Sequence, residues 1–353
     1  MSQIWLAAPE DKNRWDDFVG NHPEATPYHL FSWKEAVEKA YRHKSQYLLA
    51  EENGIIAGIL PMFFMRLPFV HTQLVSLPFC DVGGILAKDE ETEKLLLTSA
   101  IKIAEKSKAG SIEFRTRRQA LLPAVKELTM SCRADKVSMF LPLPGSSEAL
   151  WESFKSKLRS QVRKAEKNNL VFKWGEKSDR KTFYEVFSRN MLELGSPVHS
   201  RKFIDAVLES YGPRARMGLV YSEKKAIGAG IILALGQQVC IPWASTLRQY
   251  NNLAPNMFLY WHFLQYAADA GAYWFDFGRS TLGEGTFKFK AQWGAEPRQL
   301  YWHRLDFTGR QRSNQQPSAG SNGARERVAA LWSRLPLPVA NAIGPILRRH
   351  ISL

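Results

Sequence analysis

Two stretches, "YLLAEENGIIAGILPMFF" (Tyr47–Phe64) and "MGLVYSEKKAIGAGIILAL" (Met217–Leu235), decide how the chain is organised. Each is an apolar run, a short charged turn and a second apolar run, the pattern of a β-hairpin. The turn is Asn53-Gly54 in the first and Ser222–Lys225 in the second, and "IAGIL" at Ile56–Leu60 answers "GAGII" at Gly228–Ile232. The likeness continues downstream. "AIKIAEKSKAGSIEFR" and "FLQYAADAGAYWFDFGR" each end a helix on a glycine, Gly110 or Gly271, and enter a strand that holds an acid between apolar residues. Glycine accepts the left-handed conformation that closes a helix. The offset is 172 residues at Gly58/Gly230 and 161 at Gly110/Gly271, a drift that one loop absorbs. The chain reads as two copies of one α/β unit.

Between the copies lies "SSEALWESFKSKLRSQVRKAEKNNL", in which Leu150, Phe154, Leu158, Val162 and Ala165 form an apolar stripe at helical spacing. After Phe154 the rest carries six basic residues (Lys155, Lys157, Arg159, Arg163, Lys164 and Lys167) against Glu166 as the one acid, and Asn168-Asn169 ends the helix. Two further helices are expected, Lys181–Leu194 closed by Gly195 and Arg201–Tyr211 capped by Ser200. Beyond Asp306, "TGRQRSNQQPSAGSNGARER" has the composition of a linker. The tail after it is apolar and basic, without an acid. Such a tail lies on an anionic membrane, docks on a partner or packs back on its own domain. The expected divisions are 1–145, 146–308, a linker at 309–324 and a tail at 325–353.

With 353 residues, 45% of them hydrophobic, the chain fills real cores, which excludes global disorder. Cys80, Cys132 and Cys240 are an odd, scattered set with neither a disulfide framework nor a zinc spacing. The eight histidines form no HxxxH, so no metal site is expected. No signal peptide and no run of spanning length is evident, which points to the cytoplasm. A net charge of +14 favours an anionic partner, whether nucleic acid, a phosphorylated substrate or the inner leaflet. A solvated basic face is the alternative. No recognised nucleic-acid module accompanies the basic helix.

Several stretches together resemble the FemAB/FemX peptidyltransferases, and more closely the FemAB-like proteins of exopolysaccharide and PEP-CTERM loci. They are "YHLFSWKEAV", "KLRSQVRKAEKNNL", "LGSPVHSRKFI", "PWASTLRQYNNLAPNMFLYWHFLQYA" and "FDFGRSTLGEGTFKFKAQWG". The resemblance covers most of residues 25–305. It implies two tandem GNAT-like (acyl-CoA N-acyltransferase-like) domains, α/β with mixed sheets flanked by helices. It also implies an N-acyltransferase in which an amine attacks an activated acyl group on a cell-envelope or exopolysaccharide precursor.

The resemblance puts a Phe-Lys pair, here Phe289-Lys290, on a strand after the glycine loop. Lys290 is then the oxyanion-stabilising cation, a role in which one donor is worth ~3–4 kcal/mol, and Phe289 makes a backbone contact. A solvated lysine is the other reading. Gly278, Gly283 and Gly285 let the backbone approach the substrate. Arg201 lies where the family holds phosphates of a nucleotide-linked acceptor, and Lys34 beside Trp33 lies near a substrate lysine. Trp243, Ser245 and Asn256 line the cleft. Asp276 orients Arg279, takes a proton or is a paired buried acid, and His199 is a candidate base.

The resemblance implies no tightly bound cofactor. The acyl donor is a co-substrate, aminoacyl-tRNA or acyl-CoA, and the acceptor is an anionic small molecule or a lipid-linked sugar. Charged tRNA and peripheral contact with the inner membrane through the tail are the further partners. Gly175–Gly212 is too short for the helical hairpin of the tRNA-using type, which leaves the donor open. Two rivals stand. An acetyl-CoA-dependent GNAT acetyltransferase needs an Arg/Gln-x-x-Gly-x-Gly/Ala loop opening a helix, whereas "RSTLGEG" is differently spaced and reads as leading into a strand. The other rival is a non-catalytic scaffold of a polysaccharide-synthesis complex.

Overall fold

The computed structural model describes residues 3–66, 72–119, 130–307 and 319–353. The chain divides into two units. Unit 1 takes residues 1–137, 298–316 and 349–353, and unit 2 takes 138–297 and 317–348.

Unit 1 opens with β1 (Gln3–Leu6), α1 (Lys12–Asn21), α2 (Phe31–Tyr41), β2 (Ser45–Glu52) and β3 (Ile55–Met65). It continues with β4 (Gln73–Val75), β5 (Leu86–Ala87), α3 (Glu90–Lys106), β6 (Ser111–Thr116) and β7 (Met130–Arg133). In unit 2 follow β8 (Val137–Pro142), α4 (Ser147–Ser153), α5 (Ser156–Lys167), β9 (Leu170–Trp174), α6 (Arg180–Glu193) and α7 (Arg201–Tyr211). Then come β10 (Ala215–Ser222), β11 (Lys225–Leu235), β12 (Gln238–Thr246), α8 (Pro255–Asp269), β13 (Trp274–Ser280), α9 (Gly285–Ala291) and β14 (Glu296–Gln299). The chain ends with β15 (Tyr301–Asp306), α10 (Ala319–Trp332) and α11 (Leu337–Arg348).

The two expected hairpins are β2–β3 and β10–β11, each with a bulge one turn from its tip. Ala50 pairs with Gly58 just before the first bulge and Val220 with Gly228 before the second. Gly58 therefore corresponds to Gly228, not to Gly230, and the offset is 170 rather than 172. Matching residue types had slipped the copies by two, a shift that keeps every side chain on its face.

Each sheet contains one parallel pair spanned by a helix, β4 to β6 across α3 and β12 to β13 across α8. The order is β1-β2-β3-β4-β6-β15-β7 in unit 1, with β5 on β3, and β14-β8-β13-β12-β11-β10-β9 in unit 2. The expected boundary at 145 therefore moves to 137/138, because β8 joins the sheet of unit 2. β15, expected in the second domain, pairs with β6 and β7 in unit 1. Such pairings join strands far apart in the chain, and local periodicity carries no trace of them.

The core of unit 1 packs Leu96, Leu97, Ala100 and Ala104 of α3 on Leu60, Leu74, Ile112 and Phe114 of the sheet. A separate aromatic cluster joins α1 and α2 to the strands, with Trp15 stacked on Tyr47 at 4.9 Å and Trp33 fully buried. In unit 2, Gly218 and Gly230 pair across β10 and β11. A Cβ on either would stand 2.6 Å from the ring of Phe263. The paired glycines make the notch in which α8 seats that ring.

Two local expectations change. The stripe from Leu150 to Ala165 is buried throughout, but Phe154 and Lys155 are extended, so one stripe serves two helices, α4 and α5. Of the linker expected at 309–324, residues 309–318 lie outside the described residues and 319–324 are helical, part of α10. A helix once nucleated gains a hydrogen bond for each residue it adds, which carries α10 back over a weakly helix-forming stretch.

Candidate functional site

The site grows from the parallel pair in unit 2. The ladder between β12 and β13 runs through three pairs, Gln238↔Trp274, Val239↔Phe275 and Cys240↔Asp276. β12 then runs on to Thr246, paired with β11, and β13 runs on to Ser280. A crevice beyond the carboxyl ends of parallel strands is where α/β sheets take their ligands. Because α8 connects the two strands, its amino end lies at that same edge. Ala254 caps it at φ +58° and Pro255 fills its first position, where a missing N–H costs nothing.

Asp276 closes the ladder and shapes the turn beyond it. Its Oδ1 accepts hydrogen bonds from Ser138 Oγ (2.6 Å) and from the Gly278 N–H (2.8 Å). Gly278 sits at φ +73°, a conformation that L side chains resist. Of the roles held open for Asp276, the paired buried acid is the one these bonds describe. Ser138 carried no signal of its own in the sequence.

The glycine loop brings the largest correction. "GTFKFKA" is helix α9, not a strand, so Phe289 and Lys290 fan apart by about 100° rather than pointing to opposite faces. Phe289 packs edge-on against Tyr260 at 5.1 Å. Lys290 turns to β13 and is 8% exposed. Its Nζ donates to the carbonyls of Gly278 (3.0 Å) and Arg279 (2.8 Å), so the reading as a solvated strand lysine falls. Gly283, at φ +78°, turns the loop, and an added Cβ there or at Gly285 would meet nothing within 4 Å. Two buried polar atoms nearby in the chain, Ser280 Oγ and Trp293 Nε1, have no hydrogen-bond partner among the described residues. Neither was foreseen; only an inventory of polar groups after folding reveals them.

The remaining candidates scatter. Trp243 lies on β12 past the ladder, but its ring turns to the α6/α7 face, 5.8 Å from Phe203 and 6.3 Å from Phe187. Ser245, two residues on, is buried on the same strand, and Asn256 is half-buried in the first turn of α8. Burial holds the His199 imidazole well below its ordinary value, with the charge of Arg348 adding to the effect. It is a neutral ring packed 4.9 Å from Phe203, poorly placed for a solvent-coupled base. Arg201 stands half-exposed on α7, 3.6 Å from Asp205 one turn on. Trp33 and Lys34 belong to unit 1. Trp33 is core, its Nε1 donating to Pro78 O, and offers no surface to a substrate. Lys34 pairs with Glu38 at 3.1 Å and lies over the Phe31 ring.

Among the described residues no cluster of acids, histidines and cysteines has a metal-binding arrangement, and no helix is long and apolar enough to cross a membrane.

Residues 152–291, which run from the end of α4 through α9, match the family described as "Acetyltransferase (GNAT) domain". The match covers less than half of the chain and is to a domain of the N-acyltransferase kind, with the donor unspecified. The particular likeness is to FemX, whose crystal structure superimposes with a TM-score of 0.69 at 16% identity over 85% of this chain and 96% of that one. L-PGS from Bacillus licheniformis matches with a TM-score of 0.57 at 12% identity over 94% and 98% of the two chains. A tandem GNAT protein from the clavulanic acid biosynthesis pathway, solved without AcCoA, gives 0.55 at 12% identity over 86% and 98%. No curated protein matches by sequence. The fold is the tandem GNAT-like fold that FemX and the tandem GNAT protein share.

Proposed function

We propose that unit 2 transfers an acyl or aminoacyl group to an amine of a cell-envelope or exopolysaccharide precursor, at the crevice beyond β12 and β13. The observation that carries this reading is Lys290, a buried ammonium held on two carbonyls at the edge where the parallel ladder has ended. A cation fixed before substrate arrives needs no reorganisation when negative charge develops, which is where such groups gain their effect. The neutral amine attacks the acyl carbonyl, the carbonyl electrons move to oxygen, and Lys290 stabilises that oxyanion. Collapse re-forms the carbonyl and expels the donor's leaving group, a thiol or a ribose hydroxyl, which takes up the proton the amine gives away.

Asp276 and Ser138 hold the left-handed turn at Gly278 and so position the carbonyls that grip Lys290. Ser280 Oγ and Trp293 Nε1 are donors left for substrate, since a buried polar group without a partner costs ~1–3 kcal/mol. Phe289 and Arg279 border the turn, and Gly283 and Gly285 keep the loop bare. Arg201 and Lys34 are phosphate or substrate contacts only if the acceptor is large enough to reach them. The setting is cytoplasmic, with an anionic or lipid-linked sugar as acceptor, charged tRNA as one candidate donor and the tail at the inner membrane. The solved likenesses to FemX and L-PGS support the envelope reading.

Acyl-CoA as donor is the second reading. The loop 281–284 does open a helix, which removes one objection to it, although Arg279 and Gly283 remain one residue too far apart for the usual motif. The amino end of α8, fifteen residues long and joined to β12 through a 3-10 turn at Arg248–Leu253, has the polarity to take a pyrophosphate.

Thermal melts of wild type and Lys290→Met against acetyl-CoA, charged tRNA and UDP-linked sugar precursors distinguish these readings. A ligand at 100 times its Kd adds about 2.7 kcal/mol. Stabilisation by a UDP-linked sugar, with transfer lost in Lys290→Met at unchanged ligand-free stability, is the expected result. Stabilisation by acetyl-CoA alone selects the second reading, and silence from all three leaves the scaffold.

A further inference from the structure

Helices α10 and α11 present their side chains in the reverse of the usual order. The residues that α11 buries are small, Ala340 and Gly344, and a Cβ on Gly344 would stand 3.1 Å from the backbone of Val198. Its large apolar residues face outward. Val339, Ile343, Ile346 and Leu347 fall at i, i+4, i+7 and i+8, one face of a helix, and Ile346 is 61% exposed. On α10, Val328 and Leu331, three residues apart, are 64% and 65% exposed. A helix that only completed a fold would turn these residues in and the alanine and glycine out. Exposed apolar faces of this kind mark a surface with a partner.

The charge around the face selects the partner. Residues 319–353 hold five arginines and one glutamate, and no acid follows Glu326. Arg327 and Arg334 are exposed, and Arg348 ends α11. A second copy of the chain would set arginines against arginines across a self-complementary face. An anionic surface meets both the apolar residues and the arginines. Neither helix is of a length and apolarity to span a bilayer.

We propose that the α10–α11 face docks in the plane of an anionic lipid bilayer, with Val339, Ile343, Ile346 and Leu347 at the acyl boundary and Arg327 and Arg334 on the headgroup phosphates. This rests on the tail alone and stands or falls apart from the catalytic reading. Affinity of such a helix scales with the apolar area it buries and with its attraction to anionic lipid.

The full chain is sedimented with vesicles of phosphatidylcholine alone or with about 30% phosphatidylglycerol, a fraction that gives a clearly negative surface. Binding is expected on the anionic vesicles only, weakened strongly at high salt by screening. The pair Ile346→Ser/Leu347→Ser is expected to reduce partitioning by about tenfold or more. The pair Arg327→Glu/Arg334→Glu reduces it comparably, and both keep the wild-type melting temperature because the residues are exposed. Absence of binding to the anionic vesicles, or binding that neither pair changes, overturns the proposal. So does a stable dimer in solution that Ile346→Ser/Leu347→Ser dissociates, since the occupant is then a second copy.

Discussion

The two units carry the same strand pair and have done opposite things with it. In unit 1 the ladder of β4 and β6 also runs through three pairs, ending at Val75↔Glu113, as that of β12 and β13 ends at Cys240↔Asp276. Glu113 thus stands where Asp276 does, and Phe114 where Phe277 does. Two residues past the acid, unit 2 has Gly278 and unit 1 has Arg115. The guanidinium of Arg115 is fully buried. It donates to Cys80 O (2.8 Å), Ser352 O (3.2 Å) and Ser352 Oγ (2.8 Å), pairs with Glu113 (2.7 Å) and lies 4.5 Å over the Trp302 ring. Phe79 N–H donates to the same Ser352 carbonyl at 2.6 Å. In unit 1 this edge is filled by a side chain and by residues 349–353, while in unit 2 the corresponding position is a glycine, and Lys290 lies on its carbonyl. The two units share one design, and under the proposed function this position separates the edge that receives a substrate from the one that is sealed.

The largest effect that tests this contrast is expected from Arg115→Ala. It leaves Glu113, 14% exposed, as a largely buried carboxylate without its cation, a change expected at the low end of about 3–5 kcal/mol, seen as a lower denaturation midpoint. Ligand-induced stabilisation of unit 2 should persist in whatever fraction stays folded. A loss near zero would mean that Arg115 is a surface residue in solution and the first crevice is open.

Next in size is the response to acid. Burial lowers the His29 imidazole of unit 1 to about 3, with the nearby charges of Arg117 and His22 acting in the same direction. The folded chain therefore resists protonation where the unfolded chain, with an ordinary value of 6.5, accepts it. Its neutral ring contributes stability that is complete above about pH 6.5 and lost as pH falls toward 3. By pH 4.5 the loss is about 2–3 kcal/mol. The melting temperature of wild type should drop across this window, and His29→Gln should flatten the slope. A profile that His29→Gln leaves unchanged would assign the acid response elsewhere.

The smallest change in stability, with the largest in activity, is expected at Gly278→Ala. A side chain at φ +73° costs about 1 kcal/mol or more. It also shifts the carbonyl that holds Lys290, so transfer activity should fall at least about tenfold for a barrier rise of ~1.4 kcal/mol. An active Gly278→Ala enzyme would remove the turn from the mechanism.

The repeat itself was legible in sequence, because hairpin turns and helix-closing glycines are local signals. Its register was not, since a two-residue slip leaves every side chain on the correct face. The site was half legible. Lys290 stood out as a lysine after a glycine loop, yet "FKFK" alternates like a strand. It is a short helix because Phe289 finds Tyr260 and Lys290 finds two carbonyls, contacts that no period reports. Trp33 was a substrate-contact candidate through the resemblance around Lys34, while the fold makes it core. Ser138, Ser280 and Trp293 were invisible because their part depends on what lies across from them or fails to.

The seal on the first crevice has a consequence for how the protein is made. Arg115 and Ser352 are 237 residues apart, and a ribosome adding ~5–20 residues per second needs roughly 10–50 s to deliver the second after the first. The strands of unit 2 lie together between Val137 and Gln299, whereas unit 1 waits for β15 and then for residues 349–353. The half of the molecule that is begun first is completed last. Until β15 emerges, β6 lacks that neighbour, an unpaired edge of the kind that chaperones shield.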